Sequence, residues 1–317
     1  MATLILGKTV VRSMLNMAEV TRAVEQAFRD WTKGKATMPS KSYVRLEKGD
    51  FRAMPAALPG SAGVKWVNVH PDNPAQGLPT VMAVLILNDP ATGYPLAVMD
   101  ATDITAFRTG ATAALASKYM ARRDAATLGI IGAGRQAYTQ VEAHALLFGL
   151  QAVKIYDINA TNAERAARAM SQYRAIPATI EEAAACDIVC TVTPARAPVI
   201  KKDYIHPGTH INAIGADAAG KEELEPALLK GAVVVVDDLK QASGSGEINV
   251  PIARGLYSAA EIYTTLGEII SGYKPGRPDA KAVTIFDSTG VAIEDIAVAR
   301  LIYEKAMVGT YPSVDLV

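Results

Sequence analysis

A glycine turn set between two short apolar runs constrains this chain more than any other feature. Residues 126–131 (ATLGII) are apolar, and Gly132, Ala133, Gly134, Arg135, Gln136 and Ala137 follow as a GxGxxA pattern. An amphipathic stretch then runs to Phe148 and stops at Gly149, and a second apolar run, 152–156, ends on Asp157. That order is strand, tight turn, helix, strand, acid. Gly132 lets the chain turn sharply off the strand. Gly134 has no side chain to hold a pyrophosphate away from the backbone, and Ala137 is small enough for the helix to lie close to the sheet. The free N–H groups and the dipole of the helix start favour phosphate. Asp157 falls about 20–25 residues past the first glycine, where a carboxylate reaches both ribose hydroxyls. An acid there repels a 2′-phosphate, and no arginine follows in Ile158, Asn159 or Ala160, so the pattern favours NAD over NADP. A glycine turn in an ordinary α/β protein is the alternative; the complete βαβ setting with its acid weighs against it.

The 317 residues have room for one large or two medium domains. Half are hydrophobic and the net charge is zero, which suits a soluble α/β enzyme and makes nucleic acid an unexpected partner. No apolar run approaches the ~20 residues that cross a bilayer. The first residues, MATLILGKTVVRSML, lack a charged start, apolar core and cleavage site, so no membrane partner and a cytoplasmic location are expected. Cys186 and Cys190 flank one apolar run and read as buried, inert thiols. The four histidines, His70, His144, His206 and His210, show no metal-ligand spacing, so no metal is expected.

Taken in order, residues 1–35 read as a short strand and a helix with Met17, Val20, Val24 and Phe28 on one face. Strands follow at 42–46, 51–54 (ended by Pro55, after a turn at Lys48-Gly49-Asp50), 63–69, 81–88 and 95–100, spaced as an antiparallel meander. Residues 104–122 read as a helix rich in small residues. From 126 the rhythm becomes alternating strands (187–193, 209–214, 232–236, 282–286) and helices, with a loop at 242–246. This predicts a Rossmann-type, doubly wound parallel sheet over 123–290. The amphipathic helix 291–307 is expected to return to the first domain, making that α+β domain discontinuous: 1–122 plus 291–317.

The first domain carries a cluster of cations. Lys41, Arg52, Lys65 and Arg108 lie on or beside predicted strand ends and a helix start. Lys65 sits inside an apolar strand (GVKWVN), where an ammonium is costly unless paired or functional. Arg108 opens the run Thr109-Gly110-Ala111-Thr112, and Arg108 and Thr109 are also cofactor-binding candidates. Surface cations with stems along the sheet are the alternative, and for Lys41 the two stand level. Converging, they suit an anionic substrate, most simply a carboxylate. Asp217 follows the strand 209–214 and faces the crevice beyond the strand ends; otherwise it caps a helix whose first turn holds Glu222 and Glu223. Thr193-Pro194 ends another strand on that edge. Ser288 and Gly290, around Thr289, either line the same site or cap the last helix.

Together these stretches resemble the ornithine cyclodeaminase/mu-crystallin family: GVKWVNVHPDN, LPTVMAVLILNDPATGYPLAVMDAT, FRTGATAALA, IGAGRQA, INAIGADAAGKEEL and IFDSTGVAIEDIAVA, in order across nearly the whole chain. Within the family the chain looks most like the archaeal-type alanine dehydrogenases. The resemblance implies a homodimer joined through the first domains and an NAD-binding second domain. It implies that Lys65 and Arg108 hold the substrate carboxylate and that Asp217 serves the amine or imine; a lysine near other cations can have a lowered pKa, which also suits Lys65 to polarise the imine and help activate water. In cyclodeaminases an acid stands two residues before the MP dipeptide and suits the distal ammonium of ornithine. Here that position is Arg52, in DFRAMP, and Lys41 matches a lysine of the alanine dehydrogenase branch. The expectation is an NAD-dependent alanine dehydrogenase, converting L-alanine to pyruvate and ammonia and back by reductive amination. An ornithine cyclodeaminase or cyclic imine (ketimine) reductase is the alternative, and a non-enzymatic ligand-binding protein of mu-crystallin type a further one.

Overall fold

In the computed structural model, which describes residues 2–316, the glycine turn lies in the middle of a wholly parallel sheet. The unit that holds it is Thr109–Gly290. Its strands in chain order are Thr127–Ile131, Ala152–Tyr156, Ala175–Pro177, Ile188–Thr191, His210–Ala213, Val233–Val236, Thr264–Thr265 and Thr284–Asp287. Side by side they run third, second, first, fourth, fifth, eighth, sixth, seventh. The order reverses at Thr127–Ile131, which pairs with Ala152–Tyr156 on one side and Ile188–Thr191 on the other. This is the switch point where open α/β sheets form a crevice beyond the strand ends. Runs such as VVVV are apolar throughout because helices cover both faces. Gly129 permits the closest approach: a Cβ there would fall 1.8 Å from the Ala183 carbonyl oxygen.

The helices expected on both sides of His210–Ala213 are largely replaced. A two-stranded parallel ribbon, Arg196–Ile200 with Glu222–Leu224, takes their place, followed by the short helix Pro226–Leu229. Buried Glu222 and Glu223 therefore belong to a strand and not to a helix turn. The loop expected at 242–246 is the end of helix Leu239–Ser245, which starts where the Asp238 side chain accepts from the Gln241 N–H at 2.7 Å. Helix Thr102–Met120 was expected whole in the first domain, yet the division falls inside it, between Arg108 and Thr109. Its second half packs into the parallel-sheet unit: a Cβ on Gly110 would lie 2.4 Å from the Thr139 carbonyl oxygen.

The other unit runs to Arg108 and resumes at Val291. Its sheet has the order Ser313–Val314, Thr3–Leu6, Pro95–Asp100, Val81–Asn88, Ser61–Val69, Gly49–Leu58, Ser42–Leu46, antiparallel except where Thr3–Leu6 meets Pro95–Asp100. Helices Met17–Thr32 and Ala292–Ala306 lie on this sheet and on each other. Gly63 lets the latter close in: a Cβ would meet the Ile86 carbonyl oxygen at 2.3 Å and Ile296 at 3.0 Å. The strand expected to stop before Pro55 continues to Leu58. Ala57 exchanges both backbone bonds with Thr37, so Pro55, two residues away, turns its missing donor toward the same side. There it meets the gap between Thr37 and the strand beginning at Ser42. Among the described residues no helix is long and apolar enough to cross a membrane.

A buried polar line runs through the parallel-sheet unit. His144 donates from Nδ1 to the Gln140 carbonyl at 2.7 Å and meets Ser117 Oγ at 2.8 Å through Nε2. Ser117 accepts from Asn212 at 2.9 Å, Asn212 Oδ1 lies 3.2 Å from His210 Nε2, and His210 Nδ1 lies 2.8 Å from Thr284 Oγ1. Burial pushes His144 down to about 4 and His210 to about 3. Both fall below the unfolded value of about 6.5, so the unfolded chain binds more protons on acidification. Stability is therefore lost from about pH 6.5 downward, by about 2 kcal/mol per histidine between pH 7 and 5. Urea unfolding at the two pH values measures this, and His144→Asn should shrink the loss; an unchanged loss would show that His144 does not titrate this way.

Candidate active site

The second unit's site begins with two glycines that differ in kind. Gly132 leaves its strand at φ 105°, a left-handed backbone, with the Val192 carbonyl oxygen 3.0 Å from where a Cβ would lie. The protein itself requires glycine there. Gly134 has φ −76°, open to any residue, and nothing lies within 4 Å of its Cβ position. Neither backbone nor packing demands glycine at Gly134, and its lack of a side chain leaves the backbone open to close approach by an outside group. Gly134 also caps helix Arg135–Leu147 without any side-chain bond to it, and Ala137 is fully buried. Asp157 accepts from the Ala133 N–H at 2.8 Å and the Asn159 N–H at 2.9 Å, which ties the acid to the glycine loop. A cavity of about 330 Å³ opens beside it, lined by Tyr156, Ala160, Pro177 and Ile180 among others. These residues fit the pyrophosphate and ribose of a dinucleotide.

The first unit's site is a four-charge cluster. Lys65, inside strand Ser61–Val69, is fully buried, and its Nζ lies 2.7 Å from Asp295 Oδ2. Arg108 pairs with Asp295 Oδ1 through Nε at 3.2 Å and with Glu294 through Nη1. Both acids lie in the first turn of helix Ala292–Ala306 and are fully buried. Burial lowers Lys65 to about 7; Arg108 adds to the push, and Asp295 and Glu294 oppose it. The lysine is thus poised to take up or give a proton near neutral pH. Sequence reasoning found the two cations and missed the two acids, which make the cluster electrically balanced.

The remaining candidates fall as follows. Arg52 is buried but not a lone cation: Nε and Nη2 reach the two carboxylate oxygens of Asp50 at 2.7 and 3.2 Å. Asp50 thus partly neutralises the charge of Arg52. The residues expected to turn at Lys48-Gly49-Asp50 include the start of strand Gly49–Leu58. Lys41 is buried just before strand Ser42–Leu46. In the second unit, Asp217 lies past strand His210–Ala213 and pairs with Lys221 at 2.7 Å; no helix follows for it to cap. Thr193 is bonded to buried Glu223, and Pro194 follows it. Ser288, Thr289 and Gly290 do not cap the last helix, whose cap position is Val291. Their turn is gripped by Asp237, which accepts from the N–H of Thr289 at 2.6 Å and of Gly290 at 2.7 Å.

Residues 1–310 match the model of the ornithine cyclodeaminase/mu-crystallin family. The chain belongs to that family. It is similar to alanine dehydrogenase of Archaeoglobus fulgidus, 52% identical over 97% of this chain and 96% of that protein. An archaeal alanine dehydrogenase dimer solved with bound NAD superposes at TM-score 0.98, with 49% identity and full coverage of both chains. The Delta(1)-pyrroline-2-carboxylate reductase of Thermococcus litoralis, in complex with NADH and L-proline, superposes at 0.95, with 37% identity over 99% of this chain and 100% of that one. The family stretch IFDSTGVAIEDIAVA contains the missed acids. An adjacent pair of carboxylates in an apolar run is the same signal that singled out Lys65.

Removing one partner of a buried ion pair strands the other. Asp295→Asn should cost about 3 kcal/mol at pH 6. At pH 9 the loss should be smaller, because a lysine lowered to about 7 is already neutral there. Denaturant unfolding at both pH values measures the difference, and equal losses would contradict a titrating Lys65–Asp295 pair.

Proposed function

We propose that this chain is an NAD-dependent alanine dehydrogenase, which deaminates L-alanine oxidatively to pyruvate and ammonia and runs the reverse reductive amination. The observation that carries the reading is 52% identity to the Archaeoglobus fulgidus alanine dehydrogenase across 97% of the chain. The open space at Gly134 and the balanced Lys65 cluster support it. Gly132 to Ala137 and Asp157 hold the dinucleotide's pyrophosphate and ribose, and Arg108, Thr109, Thr193, Pro194, Ser288 and Gly290 line the rest of it. NAD supplies the acceptor for the hydride that leaves Cα of alanine.

Arg108, oriented by Glu294 and Asp295, holds the substrate carboxylate and so fixes Cα. Lys41 and Arg52 complete the carboxylate side. Lys65 takes a proton from the water that adds to the imine carbon, and Asp295 stabilises the ammonium formed. Asp217 holds the amine as it leaves. The same groups acting in reverse protonate and orient the imine of pyruvate. Two free, buried thiols, Cys186 and Cys190, suit a cytoplasmic protein.

A second reading has specific support. The likeness to the Thermococcus litoralis reductase favours a site that accepts a cyclic imino acid. The deciding assay is NAD reduction with alanine, set against NADH oxidation with pyrroline-2-carboxylate and, in the presence of NAD, formation of proline and ammonia from ornithine. Alanine turnover with NAD should outpace NADP, and Lys65→Ala should lose at least ~100-fold in turnover while melting as a folded protein. Near-normal turnover in that variant would remove Lys65 from the chemistry; faster pyrroline-2-carboxylate reduction than alanine oxidation would replace the substrate.

The first unit also supports a homodimer reading. Along strand Val81–Asn88 the residues Ala83, Leu85 and Leu87 are buried, while the alternate Val84 and Ile86 are 49% and 39% exposed, beside Trp66 at 43%. A sheet apolar on both faces calls for a partner. Light scattering at micromolar concentration should give twice the 33.5 kDa chain mass, and Val84→Lys with Ile86→Lys should halve it; a monomer in the unmodified protein would refute the dimer.

A further inference from the structure

The parallel-sheet unit holds a second group of buried acids that the reaction above does not use. Glu223 is fully buried in the short strand Glu222–Leu224. Its Oε1 accepts from the Thr193 N–H at 2.8 Å and the Thr193 hydroxyl at 2.7 Å. Its Oε2 accepts from the Thr191 hydroxyl at 2.7 Å and the Gly215 N–H at 2.8 Å. One carboxylate thus ties two loops that leave the ends of neighbouring parallel strands, Ile188–Thr191 and His210–Ala213. The fit is close: a Cβ on Gly215 would lie 2.1 Å from the Thr193 carbonyl oxygen and 2.6 Å from Glu223 Oε1.

Glu223 is itself held. Its N–H and that of Leu224 donate to the Glu247 carboxylate at 2.9 and 2.7 Å. The N–H groups of Glu247 and Ile248 donate to Asp287 at 2.9 and 3.2 Å. Asp287 ends strand Thr284–Asp287, and Ser288 to Gly290 follow. Asp287 accepts from the segment that bears Glu247, Glu247 from the segment that bears Glu223, and Glu223 from Thr193 and Gly215, so three carboxylates link the loops carrying Thr193, Asp217 and Ser288.

We propose that Glu223 is a positioning residue for hydride transfer: by fixing Thr193 against Gly215 it sets the nicotinamide end of the site relative to Asp217. The proposal rests on the cofactor and site assignments made above. A four-acceptor carboxylate has no substitute of equal geometry. Glutamine at this position turns an NH₂ group toward N–H and O–H donors, so at least one loop loses its tie. The hydrogen bonds of Glu223 go to Thr191, Thr193, Gly215 and Glu247, and not to Gly134 or Asp157, which are assigned to the ADP end.

Glu223→Gln therefore separates positioning from binding and from folding. In the folded variant, the Kd for NADH should stay within about 3-fold, while the fluorescence enhancement of bound NADH falls and kcat with alanine drops ~10-fold or more. The isotope effect from 2-deuterated alanine should rise as the chemical step becomes limiting. Thr191→Val removes one donor without changing shape; it should lower kcat by a smaller factor and add less than its own effect in the double variant. It serves also where Glu223→Gln does not fold. A lowered melting temperature with unchanged NADH emission and unchanged kcat per folded molecule, or a Thr191→Val protein indistinguishable from the unmodified one, would overturn the proposal. Failure of the unmodified protein to oxidise alanine would instead overturn the proposed substrate, and the NADH emission of the variants would still decide the role of Glu223.

Discussion

The first unit depends on the ion pair between Lys65 and Asp295. An ammonium with no solvent exposure inside an apolar strand is tolerable only with a counter-charge at hand, and Asp295 supplies it at 2.7 Å. That acid lies on helix Ala292–Ala306, almost at the other end of the chain. The return of the C-terminal segment to the first unit is thus an electrostatic requirement as well as a packing one. Buried ion pairs contribute little net stability compared with apolar residues of the same size. A four-charge cluster in which burial lowers one lysine to about 7 is better explained by chemistry than by folding.

Much of the second unit was legible because its signals are local. The apolar runs, the two glycines and Asp157 fall within one βαβ stretch, and the structure places each within a residue or two of expectation. The ribbon Arg196–Ile200 with Glu222–Leu224 was not legible. The local pattern GKEEL looks like a helix start, but Glu222–Leu224 pairs with Arg196–Ile200 and its N–H groups find Glu247, more than a loop away. Tertiary pairing overrode local preference. At the first unit's site the cations stood out and their partners did not. Asp50 was absorbed into a turn signal, and Glu294 and Asp295 were absorbed into an amphipathic helix.

Fold alone does not separate the reactions found in this family. An alanine dehydrogenase and a pyrroline-2-carboxylate reductase superpose on this chain at TM-scores of 0.98 and 0.95. Backbones that similar leave discrimination to individual charges. Arg52 illustrates how such a charge can mislead in isolation. In the sequence it stands as a cation where cyclodeaminases carry an acid; paired with Asp50 at 2.7 Å it presents a much weaker field. A single-residue rule at this position is therefore insufficient, because the charge of Arg52 acts together with that of Asp50.

The two units solve one problem by different means. A site built on side chains of a sheet and a helix, as at Lys65 and Arg108, is held by the elements themselves. A site built where parallel strands end is held by loops, whose backbone N–H groups have left the sheet ladder and still need acceptors. A carboxylate offers two oxygens and accepts several such donors at once. Glu223 takes two N–H groups and two hydroxyls, Asp237 takes the Thr289 and Gly290 N–H groups, and Asp287 takes those of Glu247 and Ile248. Burial raises Glu223, and Glu247 well above the usual carboxylate range, with the neighbouring acids adding to the effect on Glu247. The donors that surround them draw both groups back toward the ionised form. Burial opposes the ionised form and the donors of the ordered loops favour it, so order at the strand ends and the charge state of these carboxylates are linked.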